Sequence, residues 1–310
     1  MTKSVDSEVL AEVTRDEIVE SQHRGHLVMF NADGTLRMSR GNPATLIYPR
    51  SSIKSIQAAA MMRSGLNLEP RLLALVAASH SGTQMHQNAV LEILALGGLN
   101  ESALLNTRDR PLGEDERREW GSKAPTSLAQ NCSGKHAGML LTCVLNTWPT
   151  HNYLDANHPL QMIIRQELET LASESVSFTS VDGCGAPLFL ISLLGLGVAI
   201  HEITISKDRI HRSVLQACRD FPEMVAGEDR LATRKMREVP GLFMKEGAEG
   251  VDVGSLPDGR AFAFKIEDGS SRALGTVVVA VLKEFGITAP PENTPIYGGN
   301  KVVGSIRAHL

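Results

Sequence analysis

The chain carries strand-like patterns at its two ends and helical patterns between them, and this order is what most restricts the fold. Near the start, Val28 to Phe30 and Leu36 to Met38 flank Asn31-Ala32-Asp33-Gly34-Thr35, two apolar runs either side of an Asp-Gly turn, which predicts a β-hairpin. The pattern turns helical from Ser51 to about Trp148. There Ile53 to Met62, Pro70 to Ala78, His86 to Leu96 and Lys135 to Asn146 place apolar residues at helical spacing between Gly and Pro turns. Pro159 to Leu171 and Arg209 to Phe221 are further amphipathic helices. Strands return at Gly241 to Lys245, Val251 to Leu256 and Arg260 to Ile266, with Asp258-Gly259 as a hairpin turn, before a closing helix over Ser271 to Phe285. The expected fold is α+β, with one antiparallel sheet assembled from N- and C-terminal segments. A helical region of about 51–235 is inserted, all within a single domain of 1–310. The apolar run Ala186 to Ile200 reads as a buried helix followed by a strand. The tail from Pro290 to Leu310 is expected to pack on the surface or on a partner subunit.

Composition narrows the partners. The 31 basic and 35 acidic residues are mixed along the chain, giving a net charge of -4 and no basic face or arm for nucleic acid. The longest apolar run is broken by Pro187, Gly195 and Gly197 and is shorter than the roughly 20 residues that span a bilayer, so no membrane segment is expected. The polar, acidic N-terminus lacks the basic head and apolar run of an export signal, which points to the cytoplasm. Cys132, Cys143, Cys184 and Cys218 are too scattered for a disulfide framework and are read as thiols, Cys143 and Cys218 as small buried helix residues. A small molecule is the expected partner.

Five short segments carry reactive side chains. In Arg50-Ser51-Ser52-Ile53-Lys54 a serine and a lysine stand three apart as the chain enters a helix, so Ser51 and Lys54 share a side and the amine can reach the hydroxyl. A serine attacks only when a base takes its proton, and a lysine is a base only when burial or a nearby cation lowers its pKa. Ser79-His80-Ser81-Gly82 is a turn between helices, and Asn131-Cys132-Ser133-Gly134-Lys135-His136 opens a helix with small polar residues. Asp182-Gly183-Cys184-Gly185-Ala186-Pro187 packs glycines around an acid and a thiol. Lys265-Ile266-Glu267-Asp268-Gly269 ends a strand whose alternation aims Lys265 and Ile266 at opposite faces. Taken singly, each has a bland reading as a helix cap, a tight turn or a surface lysine. Their joint presence, in this order, points to a site.

With Val19-Glu20-Ser21-Gln22-His23-Arg24-Gly25 and Pro49, these segments resemble the L-asparaginase II family of the Rhizobium etli type over about Val13 to Ile287. The resemblance implies a fold similar to serine β-lactamases and glutaminases, and an amidohydrolase that releases ammonia from L-asparagine through a serine ester. It implies two serine-lysine pairs, Ser51 with Lys54 and Ser79 with Lys265, and a zinc ion held by Cys132, Lys135 and Cys184. Arg50, His80 and Asp182 are expected along the substrate, and a homodimer is implied. A lysine must be neutral to bind metal, so this triad does not follow from ligand spacing. The family places an acid after its Ser-His-x-Gly turn where this chain has Thr83, and Ser81 is the alternative to Ser79. The rival readings are a glutaminase, a β-lactam hydrolase and a zinc-containing binding protein without turnover.

Overall fold

The computed structural model describes residues 6–292 and 294–310. Its strands are β1 (Glu8–Arg15), β2 (Ile18–Phe30), β3 (Leu36–Arg40), β4 (Leu46–Ile47), β5 (Phe178–Val181), β6 (Pro187–Ser192), β7 (Phe243–Glu246), β8 (Val251–Ser255), β9 (Ala261–Ile266), β10 (Ile296–Gly298), β11 (Lys301–Gly304) and β12 (Ile306–Ala308). Between them run the helices α1 (Lys54–Arg63), α2 (Pro70–Val76), α3 (Gln84–Leu96), α4 (Glu114–Trp120), α5 (Ser133–Leu145) and α6 (Pro159–Ala172). They are followed by α7 (Leu193–Ile205), α8 (Arg209–Asp220), α9 (Pro222–Val225), α10 (Leu231–Glu238) and α11 (Leu274–Glu284).

The main sheet has the order β12-β1-β2-β9-β8-β7, with β3 beside the second half of β2. Its pairings are antiparallel, and N-terminal and C-terminal strands meet where β2 pairs β9, from Gly25↔Ile266 to Phe30↔Ala261, and again where β1 pairs β12. The expected α+β architecture is therefore present. β2 begins well before Val28 because its first half, Ile18 to Gln22, is exposed and shows no buried alternation, whereas His26 to Phe30 is buried throughout. Only the buried half leaves a hydrophobic signature.

Two segments differ from the sequence reading. Within Ala186 to Ile200 the order is strand then helix, because Ser192 caps α7 by accepting the Gly195 N–H at 2.8 Å, and Pro187 opens the strand. An apolar run alone does not separate the two, and the capping serine marks the boundary. The tail packs on the protein's own sheet: β12 pairs with β1 from Ala11↔Ala308 to Val13↔Ile306, after a β10–β11 hairpin. α7 covers the sheet closely. A Cβ on Gly197 would stand 2.5 Å from the Phe30 ring and 2.8 Å from Val28, so a larger residue there would push the helix off β2.

α1 runs through the middle of the helical region, buried from Lys54 to Met61, and packs against α6, α8 and α5. Ala58, Ala59 and Ala60 keep it slim enough for three neighbours. Among the described residues no helix is long and apolar enough to cross a membrane. At the end of α1, Arg63 holds Glu167 of α6 through two bonds of 2.9 and 3.0 Å, and His211 of α8 reaches the same carboxylate at 2.6 Å. Burial would raise this carboxyl, but the bonds from His211 and Arg63 more than offset it and hold it below 4.5. Glu167→Ala is therefore expected to lower unfolding stability by ~3 kcal/mol, seen as a lower urea midpoint at pH 7. Because the folded value is depressed, the contribution is present above pH 4.5 and disappears as pH falls through that lower value. An unchanged midpoint at pH 7 would contradict this account.

Candidate active site

Residues Arg50–Ile53 form a 3₁₀ turn that leads into α1, and Arg50 sits at φ +54°, a conformation few side chains adopt. The Lys54 N–H bonds the Ser51 carbonyl, and residues three apart in such a turn eclipse each other, so Ser51 and Lys54 start on the same side. The expected direct bond between them is not made, because the four-carbon stem carries the amine further. Lys54 Nζ donates to the Ala78 carbonyl, to Ser79 Oγ at 3.0 Å and to Cys132 Sγ at 3.0 Å, which uses all three of its N–H groups. Ser51 is half-buried, and its hydroxyl has no bond among the described residues.

Ser79 stands on a stretch held by its backbone. Its N–H bonds Val225, that of His80 bonds Asn131, and that of Ser81 bonds Ala226, at 2.9, 3.1 and 2.6 Å. The buried Ser79 hydroxyl accepts from Lys54 at 3.0 Å and from Lys245 at 2.9 Å. Lys245, on β7, also donates to the Glu246 carbonyl at 2.8 Å. Burial, with the nearby positive charge of Lys54, pushes the Lys245 amine down to about 7.

Lys245 thus stands where Lys265 was expected. Register puts both lysines on one face, since Lys245 pairs with Val253, Val253 with Ala263, and Lys265 lies two residues beyond Ala263. β9 is nevertheless two strands from β7, about 10 Å across the sheet. The Lys265 amine instead donates to the carbonyls of Glu249 and Ile266. His80 is also misplaced for contact with a substrate. Its ring is fully buried, bonds Ser133 Oγ at 3.0 Å and stacks on His86 at 5.0 Å, so it braces the start of α5. Ser81 lies against Gly227, away from the lysines, and Thr83 caps α3 by accepting the His86 N–H at 3.3 Å.

Beside the lysines lies a pocket of thiols. α5 seats tightly on α2, as a Cβ on Gly134 would meet Leu75 at 2.6 Å and one on Gly138 would meet Val76 at 2.8 Å. This contact brings Cys132 and Lys135 inward. Lys135 Nζ lies 3.3 Å from Cys184 Sγ, Cys184 Sγ lies 3.5 Å from Asp182 Oδ2, and Arg50 Nε lies 2.8 Å from Asp182 Oδ1. The hydrogen bond from Cys132, aided by the Lys135 charge, pushes the Cys184 thiol down to about 5. The same bond and burial push Cys132 up to about 12. Burial would lower the Lys135 amine, yet Cys184, Cys132 and Asp182 more than offset it and keep it charged.

Two sulfurs, an amine and a carboxylate line this pocket, and of these the sulfurs and the carboxylate are ordinary zinc ligands while the amine is not. Among the described residues, no three of His, Cys, Asp or Glu stand close enough to hold a metal. A metal here therefore depends on Lys135, whose proton it must displace. A surface cavity of about 920 Å³ between the α1–α2 loop and α8 is lined by residues such as Asn67, Arg209 and Gln216 and touches none of this cluster. The chemistry of the side chains, and not cavity size, locates the site.

Lys245 carried a signal that the sequence reading missed. Ser-x-x-Lys, a Ser-x-polar turn and a Lys-x-Gly triplet occur together in serine-lysine enzymes, and Lys245-Glu246-Gly247 is such a triplet. Gly247 has a reason to be small: a Cβ there would stand 2.9 Å from the Pro49 carbonyl, on the turn that carries Ser51.

A model of the L-asparaginase II family matches residues 11–308. Among solved structures, "Crystal Structure Analysis of Mglu" is similar at 14% identity and a TM-score of 0.47, covering 86% of this chain and 67% of that one. Mglu in its glutamate form is similar at 13% identity and a TM-score of 0.49, covering 86% of this chain and 61% of that one. A β-lactamase from Mycobacterium bovis is similar at 13% identity and a TM-score of 0.44, covering 84% of this chain and 94% of that one. The chain thus spans about two thirds of the length of the Mglu chains. A search of curated proteins gives no match.

Proposed function

Because the chain belongs to the L-asparaginase II family, a family of amidohydrolases, we propose that it hydrolyses the side-chain amide of L-asparagine to aspartate and ammonia by a serine-lysine mechanism. One observation carries this reading: the buried Ser79 hydroxyl is held between two lysine amines at 3.0 and 2.9 Å. A hydroxyl oxygen that accepts two N–H bonds still has its own proton to pass on, and a lysine poised near neutrality can receive it.

Ser51 is the attacking group in this proposal, since a substrate must touch the nucleophile and Ser51 is half-exposed while Ser79 is buried. Lys54 first gives a proton to Ser79 as Ser79 gives its own to neutral Lys245, and the freed Lys54 amine then turns to take the Ser51 proton and is charged again. The serine oxygen bonds the amide carbon. When the C–N bond breaks, the same path in reverse protonates the nitrogen, which leaves as ammonia. Water then attacks the aspartyl ester by the same route and frees Ser51. Arg50 suits the α-carboxylate of an amino acid and Asp182 its α-ammonium group, and their 2.8 Å ion pair keeps both at the mouth of the site.

The reading also assigns one zinc ion to Cys132, Lys135 and Cys184, with Asp182 beside them. Bound there, zinc would supply a fixed positive charge in the pocket wall. Elemental analysis of the purified chain is expected to find one zinc per chain, lost in Cys184→Ser. Equal metal in the two proteins removes the assignment. For the activity, the deciding assay is ammonia release from L-asparagine and L-glutamine, with nitrocefin as a third substrate. Asparagine is expected to be turned over fastest. Faster turnover of either other substrate transfers the reading to a glutaminase or a β-lactam hydrolase.

A further inference from the structure

We propose that the sulfur of Cys132 positions the Lys54 amine, so that this residue belongs to the proton path as well as to the thiol pocket. The inference rests on the serine-lysine reading above. The three N–H groups of Lys54 Nζ meet three acceptors: the Ala78 carbonyl, the Ser79 hydroxyl and the Cys132 sulfur. The first is main chain and the second takes part in the reaction. Cys132 is the acceptor that can hold the amine still while Ser79 exchanges protons.

The sulfur is well anchored for this task. Cys132 is 4% exposed, occupies the position just before α5, and has its N–H bonded to Gln130 Oε1 at 3.0 Å. Its own thiol donates to Asn131 Oδ1 at 3.5 Å, which leaves its lone pairs to accept from Lys54. A thiol is a weak acceptor, so its effect lies in direction more than in strength. Without it, the amine at the end of a four-carbon stem keeps two partners and can swing. A misplacement of about 1 Å can cost on the order of 100-fold in rate.

The competing account is that Cys132 matters only as a metal ligand. Cys132→Ser and Cys132→Ala, made in the full chain, separate the two, because serine keeps an acceptor near Lys54 but is a poor zinc ligand, whereas alanine removes both functions. Three readouts are needed: kcat and KM on L-asparagine, the rate at which phenylmethanesulfonyl fluoride sulfonylates Ser51, with loss of fluoride, by intact mass, and zinc content. Zinc is expected to be equally low in both variants. Cys132→Ala is expected to lose about 100-fold in kcat and in sulfonylation rate with little change in KM, while Cys132→Ser recovers to within about tenfold of wild type. Equal losses in the two variants, or unchanged sulfonylation in Cys132→Ala, would overturn the inference. A wild type that is sulfonylated at Ser51 yet releases no ammonia from asparagine would end the substrate reading alone, with the sulfonylation rates still deciding the role of Cys132.

Discussion

Ser51→Ala is expected to lower ammonia release from L-asparagine by at least ~10⁴-fold, the loss typical when the attacking atom of a serine hydrolase is removed. The fold should hardly notice. Ser51 is half-buried and its hydroxyl has no bond among the described residues, so the unfolding free energy should change by less than about 0.5 kcal/mol. Its energetic value lies in its setting: a strained Arg50 at φ +54° precedes it and Lys54 follows one turn later. A combined Ser51→Ala/Lys54→Ala variant should be no slower than Ser51→Ala, because residues that act as a unit are lost together. The check is a sensitive ammonia assay beside a thermal melt. Turnover above a tenth of wild type would remove Ser51 from the role of nucleophile.

Lys245→Met is expected to lower kcat by ~10²–10⁴-fold, the usual worth of a positioned general base, although its nitrogen never touches the carbonyl carbon in the proposed path. Wild-type activity should rise with pH through an apparent value near 7, where burial and the Lys54 charge put the Lys245 amine, and the variant should lack that limb. Stability gives an independent reading. The folded amine is depressed from 10.5 to about 7, so between these values the unfolded chain binds a proton that the folded chain does not, and wild-type stability rises with pH across that window. Methionine carries no such term. Urea midpoints of the two proteins between pH 6.5 and pH 10 should therefore shift in favour of wild type as pH rises, and parallel curves would mean that Lys245 is an ordinary charged lysine.

The segments Arg50 to Lys54, Ser79 to Gly82, Asn131 to His136 and Asp182 to Pro187 could be recognised in the sequence because each packs small or reactive residues into a short stretch. The structure brings Lys54, Ser79 and Cys132 into contact, and links Lys135 to Arg50 through Cys184 and Asp182. What the sequence concealed was which strand supplies the remote amine. Alternation tells which face a residue takes but not its lateral place in a sheet, and Lys245 and Lys265 share a face. His80 misled for a related reason, since proximity in sequence to Ser79 says nothing about which way its ring turns. The α+β order was legible from the alternation of patterns along the chain. The start of β2 was not, as Ile18 to Gln22 carry no buried face.

The seam between β2 and β9 joins residues 25–30 to residues 261–266. A ribosome working at 5–20 residues per second needs on the order of 10 to 50 s to travel from one to the other. Throughout that time the inner edge of β2, with Leu27 to Phe30, has no permanent neighbour and can pair with the wrong chain. Supplying a holdase that covers this edge during recombinant production should therefore raise the soluble yield more than any change made to the finished surface.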